Sequence, residues 1–327
     1  MPDWIVDYTE IVANTLNSPE NLGIATLGSS LILAVMEDDG KHSFVACRKR
    51  LSQIAGGNGP QLSIAASPGN AMSDCEKITE SMLARPTDKK PKLILATYSY
   101  RDFCDNLYPD PAESPVAKAL DYGKGYRSFL PRWQNMLSTN AREELLTCLQ
   151  THERHIKRVA ALFRKELTKI AETCRSKSHQ VAEKSPAALG KSNEKLTRER
   201  DLAVYKTRYQ PLNLERFRLQ IESLERLLRS ARQRGVPVLL VNMPVTDENL
   251  KLIPPAMRSN WQKPIKELAA NYGAALKDFD TENDTGLTDA DFTDSVHLNR
   301  QGAAKFLDAL FSWMVNTNQY KSACKQK

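Results

Sequence analysis

The chain has 327 residues, 41% hydrophobic and 26% charged, which excludes a disordered polypeptide and suits one large or two ordinary globular domains. No apolar run approaches the roughly 18 residues of a membrane span, and Met1-Pro2-Asp3-Trp4 is not the basic-then-apolar opening of an export signal. The chain as it stands therefore reads as soluble and cytoplasmic, or as extracytoplasmic and membrane-associated if an upstream anchor has been removed. The net charge of +7 belongs to one segment, since residues 151–200 hold 13 Lys or Arg against 6 Glu. Without aromatic residues in series for base stacking, this reads as a solvated helical face or a contact with an anionic surface, not as a nucleic-acid site.

Residues 1–20 carry short amphipathic stretches broken by Asn17-Ser18-Pro19, an N-terminal arm. The first strand spans 23–27, apolar and ended by Gly28, and Ser29-Ser30 follows it directly. A helix is expected over 43–54, with Phe44, Val45, Leu51 and Ile54 at near-helical spacing, and Gly56-Gly57-Asn58-Gly59-Pro60 stops it. A second strand over 62–66 runs into Ser67-Pro68-Gly69-Asn70 and a helix over 71–83. A third, over 92–98, ends in Ser99-Tyr100-Arg101-Asp102-Phe103. Three strand-loop-helix units in succession indicate a parallel sheet.

The pattern changes near Pro131. From Trp133 to about Lys177, Leu145, Leu149, Ile156, Val159, Phe163, Leu167 and Ile170 form one apolar stripe, which needs a partner. Ser185 to Gly190 reads as a turn, and the helix after it, with Phe217 to Arg234, would supply the opposing face. The segment 118–210 is thus expected to be a charged helical insertion or cap on an α/β domain made of 1–117 and 211–327. A coiled-coil partner site is the alternative, though no strict heptad is kept.

Sheet logic returns at 235–244, a buried strand entered through Gly235. A helix with Trp261, Ile265 and Leu268 facing inward comes next, then a weaker strand over 275–279 and a closing helix over 303–314. About five parallel strands with helices between them make a doubly wound sheet, whose ligands bind beyond the carboxyl ends of the strands. The six cysteines are far apart and without metal-ligand spacing, so they read as free thiols in a reducing compartment, with no structural zinc.

The chemistry concentrates in Asp294-Ser295-Val296-His297. A carboxylate three residues before a histidine can hold one imidazole nitrogen and leave the other free to take a proton. Of the five histidines, His152, His155 and His179 fall in the insertion and His42 beyond the first helix, so His297 alone follows a strand beside a carboxylate. Asp291 is a second potential partner for it. A serine hydroxyl needs such a base, and Ser30 stands where an apolar strand meets a helix. The plainer readings are a helix N-cap for Ser30, a loop hydrogen bond for His297 and a local ion pair for Arg101 and Asp102.

Gly28-Ser29-Ser30 after strand one, Gly69-Asn70 after strand two, Arg101-Asp102 after strand three and the late Asp294-x-x-His297 together resemble the SGNH/GDSL hydrolase superfamily. Ser29, where the family has Asp, is nearest the branch concerned with alginate O-acetylation and teichoic-acid D-alanylation. The resemblance covers about 20–110 and 235–315. It implies a flavodoxin-like three-layer sandwich and a serine-dependent esterase or O-acyltransferase acting on a small-molecule or carbohydrate acyl ester, with no metal or organic cofactor. It makes Ser30 the nucleophile, His297 the general base and Asp294 its orienting partner. The oxyanion hole would use the backbone N–H groups of Ser30 and Gly69 with a side-chain donor from the third block. There Ser99-Tyr100-Arg101-Asp102 replaces the family's Gly-x-Asn-Asp, so Arg101 takes the Asn position, with Asn70 and Asn106 as other donors. That departure keeps a second function open: a catalytically silent binding domain for a glycan, an anionic surface or a protein.

Overall fold

The computed structural model describes residues 20–37, 44–57, 60–106, 186–280 and 285–325, together with residues 12, 15, 16, 18 and 116; of 186–197 it describes the backbone. The chain divides into two compact units, residues 1–120 with 198–327, and residues 121–197.

The first unit is an α/β fold on a five-stranded, all-parallel sheet in the order β2-β1-β3-β4-β5. The strands are β1 (Ile24–Gly28), β2 (Leu62–Ala66), β3 (Leu93–Tyr98), β4 (Val238–Asn242) and β5 (Ala275–Asp278). The first four are buried at every position, the signature of strands covered on both faces, which is why they read as predominantly apolar runs. β5 lies at an edge and is only partly buried, matching its weaker sequence signal. At the opposite edge, Thr15 Oγ1 and Arg48 Nε donate to the β2 carbonyls of Ile64 and Leu62, so the outer rim of the sheet is not left open.

Right-handed crossovers decide where the helices go. The step from β1 to β2 runs one way along the sheet and places α1 (Ser30–Met36) and α2 (Val45–Ile54) on one face. Every later step runs the other way and places α3 (Met72–Leu83), α4 (Tyr100–Cys104), α6 (Leu214–Gln233) and α9 (Lys263–Tyr272) on the opposite face. The closing helix α10 (Arg300–Asn316) returns to pack on α1 and α2, completing three layers, and α11 (Asn318–Lys325) follows it. Two short helices, α7 (Asp247–Leu250) and α8 (Pro255–Arg258), lie between β4 and α9. The strand order reverses between β1 and β3, and a crevice at that switch point is where a sheet of this order takes its ligands.

Several expectations change. Pro186 to Gly190, expected in a turn, is helical: α5 (Pro186–Tyr209) begins at Pro186, a residue whose fixed φ suits a first helical turn. The helix expected over 217–234 is α6. Its buried face, with Gln220, Ser223, Leu224, Leu227, Leu228 and Ala231, packs on α3 and α9 over the sheet. The helix expected from Ser43 starts at Val45, which is exposed, and Leu268 is only partly buried. The stripe from Trp133 to Lys177 lies outside the described residues, as do His42, His152, His155 and His179. Tyr205 and Tyr209, expected in the insertion, are buried within the α/β unit. Cys47, Cys75, Cys104 and Cys324 are free thiols. Among the described residues no helix is long and apolar enough to cross a membrane.

Candidate functional site

The site is built from the carboxyl ends of β1 and β3 and the loop that leads into α10. β1 ends at Gly28, Ser29 is extended (φ −103°, ψ −164°), and Ser30 is the first residue of α1. Ser29 makes no side-chain cap bond, so neither serine serves as the ordinary N-cap acceptor. Gly28 is required by packing: a Cβ there would overlap Thr97 Oγ1 and come within 2.9 Å of Ile32 Cγ2.

The loop before α10 folds on Asp294. Its Oδ1 accepts from the backbone N–H groups of Val296 (2.9 Å) and His297 (2.7 Å), while Oδ2 meets His297 Nδ1 at 2.7 Å. A carboxylate only accepts, so that contact puts the proton on Nδ1 and leaves Nε2 as the acceptor. Nε2 lies 3.0 Å from Ser30 Oγ. Burial pushes the Asp294 carboxyl up, but the hydrogen bonds and charge interaction with His297 outweigh it and hold Asp294 below the ordinary carboxylate range. The His297 and Asp294 side chains remain 27% and 32% exposed, open enough for a reactant to reach them.

From α4, just beyond β3, comes Arg101, only 4% exposed. Its Nη2 lies 2.7 Å from Ser29 Oγ and 3.3 Å from Ser30 Oγ, its Nη1 is 3.5 Å from the Tyr205 hydroxyl, and its Nε is 3.6 Å from Asp102 Oδ1. Burial pulls the guanidinium pKa down, and the surrounding Asp102, Tyr205, Tyr209 and Asp105 more than restore it, so the cation is permanent. Asp102 also caps α4, accepting from Ser99 N at 2.7 Å. Burial pushes its carboxyl up, against the opposing pull of Arg101 and Ser99. A fixed cation therefore touches the hydroxyl that His297 also touches, the geometry of a nucleophile flanked by a base and an anion-stabilising donor.

The remaining expected residues hold other posts. Pro68-Gly69 forms a tight turn, with Gly69 at φ 80° and Asn70 N donating to Ser67 O at 3.1 Å, so glycine is needed for the backbone sign. Asn70 Nδ2 donates to Gly28 O at 3.1 Å and ties the first two loops together. Asn106 Nδ2 donates to Pro211 O at 3.0 Å. Asp291 is not the partner of His297: its Oδ2 accepts from Thr288 N (2.8 Å) and Lys305 Nζ (2.9 Å). Among the described residues no group of three or more His, Cys, Asp and Glu is placed to hold a metal ion.

Sequence reasoning missed the residues that back this site. Ser295 N donates to Asp201 Oδ2, and Ser295 Oγ accepts from Asn249. The signal was present, since Asp201, Tyr205 and Tyr209 recur every four residues, but they sat inside a segment read as insertion.

No protein-family model matches the chain, and no curated protein sequence matches it. Among solved structures, the lipase Lip_vut3 from a goat rumen metagenome aligns with 89% of this chain and 96% of its own, at 14% sequence identity and a TM-score of 0.38.

Proposed function

We propose that the chain is a serine-dependent ester hydrolase or O-acyltransferase of the SGNH type. The observation that carries this reading is the continuous relay from Asp294 Oδ2 through His297 to Ser30 Oγ, with contacts of 2.7 and 3.0 Å. In the proposed cycle Ser30 Oγ attacks an acyl carbonyl carbon while its proton passes to His297 Nε2. Asp294 stabilises the imidazolium that forms. The carbonyl oxygen becomes an oxyanion and is received by Arg101 with the backbone N–H groups of Ser30 and Gly69. Collapse expels the alcohol, which takes the proton from His297, and leaves the acyl group on Ser30. Water or a sugar hydroxyl then attacks the acyl carbon as His297 takes its proton, and collapse breaks the acyl–Ser30 bond while His297 returns the proton to Ser30 Oγ.

Arg101 in place of a neutral amide supports an anion-stabilising role in a particular way. A neutral donor offers a dipole, whereas a buried guanidinium offers a full charge that Asp102 offsets only in part at 3.6 Å. The test is Ser30→Ala against the parent chain, with turnover of a small acetyl ester and covalent labelling by a serine-reactive fluorophosphonate. Both activities are expected in the parent. The variant should lose labelling, and turnover should fall by a factor on the order of 10⁶ if the relay acts as a unit. Labelling of the variant as strong as that of the parent would overturn the assignment and leave a silent binding domain. Supplying a sugar acceptor and following acyl transfer separates transferase from hydrolase.

A further inference from the structure

Beyond the relay, one helical face is built around the loop that carries its base. Asp201, Tyr205, Arg208 and Tyr209 lie at i, i+4, i+7 and i+8 along α5, one face of the helix, and Tyr205 and Tyr209 are buried. A helix serving only as cover would present aliphatic residues here. Instead each of these side chains makes a polar contact to a segment that follows the carboxyl end of a strand, two of them loops and two of them short helices. Asp201 Oδ2 accepts from Ser295 N at 3.0 Å, and Tyr205 faces Arg101. Arg208 Nε donates to Asp105 Oδ1 at 3.0 Å, and the Tyr209 hydroxyl donates to Asn249 Oδ1 at 2.9 Å.

Ser295 is where these contacts converge. It sits between Asp294 and His297 in the chain and is fully buried, and each of its polar groups is engaged. Its N–H goes to Asp201, and its carbonyl accepts from Thr246 N (3.1 Å) and Thr246 Oγ1 (3.0 Å). Its Oγ accepts from Asn249 Nδ2 at 3.0 Å. Tyr209 supplies the donor that keeps Asn249 Oδ1 turned away from Ser295, so the amide can present only its NH₂ there. The loop holding the base is therefore anchored at two points by α5: directly by Asp201, and through Asn249 by Tyr209.

Resting on the serine-site reading above, we propose that Asp201 and Tyr209 of α5 are positioning residues that hold the Asp294–His297 pair in register with Ser30. Neither touches a reacting atom. Both act through Ser295, and a shift of about 1 Å at the base is enough to cost on the order of 10²-fold in rate. The hydrogen bond to Ser295 N needs an acceptor oxygen at residue 201, not a charge, so asparagine can replace aspartate while alanine cannot.

The experiment uses the full chain and compares Asp201→Ala, Asp201→Asn and Tyr209→Phe with the parent. Three quantities are read: kcat and KM for a small acetyl ester, the rate constant of fluorophosphonate labelling, and the thermal midpoint. The expected result for Asp201→Ala is a fall of 10- to 100-fold in both kcat and labelling rate, with KM within about twofold. Asp201→Asn is expected to recover most of both rates. Tyr209→Phe, which removes one hydroxyl and keeps the packed ring, should lower both rates in the same manner and covers the case in which Asp201→Ala does not fold. An active parent whose Asp201→Ala and Tyr209→Phe variants keep its kcat and labelling rate overturns the proposal and leaves the serine reading intact. Equal losses in Asp201→Asn and Asp201→Ala overturn it too, by pointing to charge. A parent that neither labels nor turns over an ester overturns the serine reading itself, and the positioning role with it.

Discussion

The Nη2 group of Arg101 lies 2.7 Å from Ser29 Oγ, so the residue immediately before the candidate nucleophile is the acceptor that fixes the cation beside it. Ser29 is 2% exposed, and no water can substitute for it readily. Ser29→Ala is expected to cost about 1.5 to 3 kcal/mol of stability, the worth of a hydrogen bond to a charged group. Urea unfolding of parent and variant measures it. An unchanged midpoint would mean that the contact carries no free energy.

Arg101 itself should matter for both fold and rate. Arg101→Met leaves Asp102 buried without its cation, which is expected to destabilise the chain by about 3 to 5 kcal/mol. If Arg101 receives the oxyanion, kcat should also fall by about 10² to 10³. Ester turnover below the unfolding transition separates the two effects, because a purely structural role would lower the midpoint and spare kcat in the folded fraction.

Gly28 should tolerate no side chain. A Cβ there overlaps Thr97 Oγ1, whose own hydrogen bond runs to Leu27 O at 3.0 Å, and crowds Ile32 in α1. Gly28→Ala is expected to lower stability by about 1 to 3 kcal/mol through overpacking and to shift Ser30, which begins the helix that must move. A thermal midpoint and a labelling rate both matching the parent would contradict this.

Asp280 gives the unit a pH dependence unconnected with the relay. Burial pushes its carboxyl up to about 7, opposed by the Val245 N–H that it accepts and reinforced by Asp278 and Asp247 nearby. The folded state therefore holds a proton that the unfolded chain releases near its ordinary value of 3.8. Between those two values folding binds more protons than unfolding, so this residue's contribution to stability declines as pH rises from about 4 to about 7 and stays low above. Asp280→Asn keeps an acceptor for Val245 and removes the titration. The difference in unfolding free energy between variant and parent should therefore favour the variant increasingly over that window. A pH-independent difference would rule the effect out.

Asp294 has the opposite sign. Its folded pKa is held down, so the stability it lends is present above its ordinary value and is lost only as pH falls through the lower folded value. The stability difference between the parent and Asp294→Asn should therefore shrink as pH falls below the ordinary value of 3.8, and urea unfolding of both chains across that range checks this; a difference that stays constant would contradict it.

The α/β fold was legible because parallel strands covered on both faces are mostly apolar, and 24–28, 62–66, 93–98 and 238–242 carry that mark in one dimension. The Asp294–His297 contact was equally local, three residues apart in one turn of chain. Helix partners were another matter. The apolar face of α6 fits either an insertion or a sheet, and only the crossover geometry assigns it to the sheet. For the same reason the acceptor of the Asn106 amide, Pro211 O, could not be read from the sequence.

The sequence by itself determined which segments become buried strands and which short loop holds a base and its carboxylate, because both follow from near neighbours along the backbone. Only the tertiary structure decided that Ser30 meets His297 across 267 positions, that Arg101 turns onto both serines, and that Asp201 of α5 accepts from the backbone between Asp294 and His297. Those relations depend on strand order and on which faces must be hidden from water together, and separation along the chain carries no record of either.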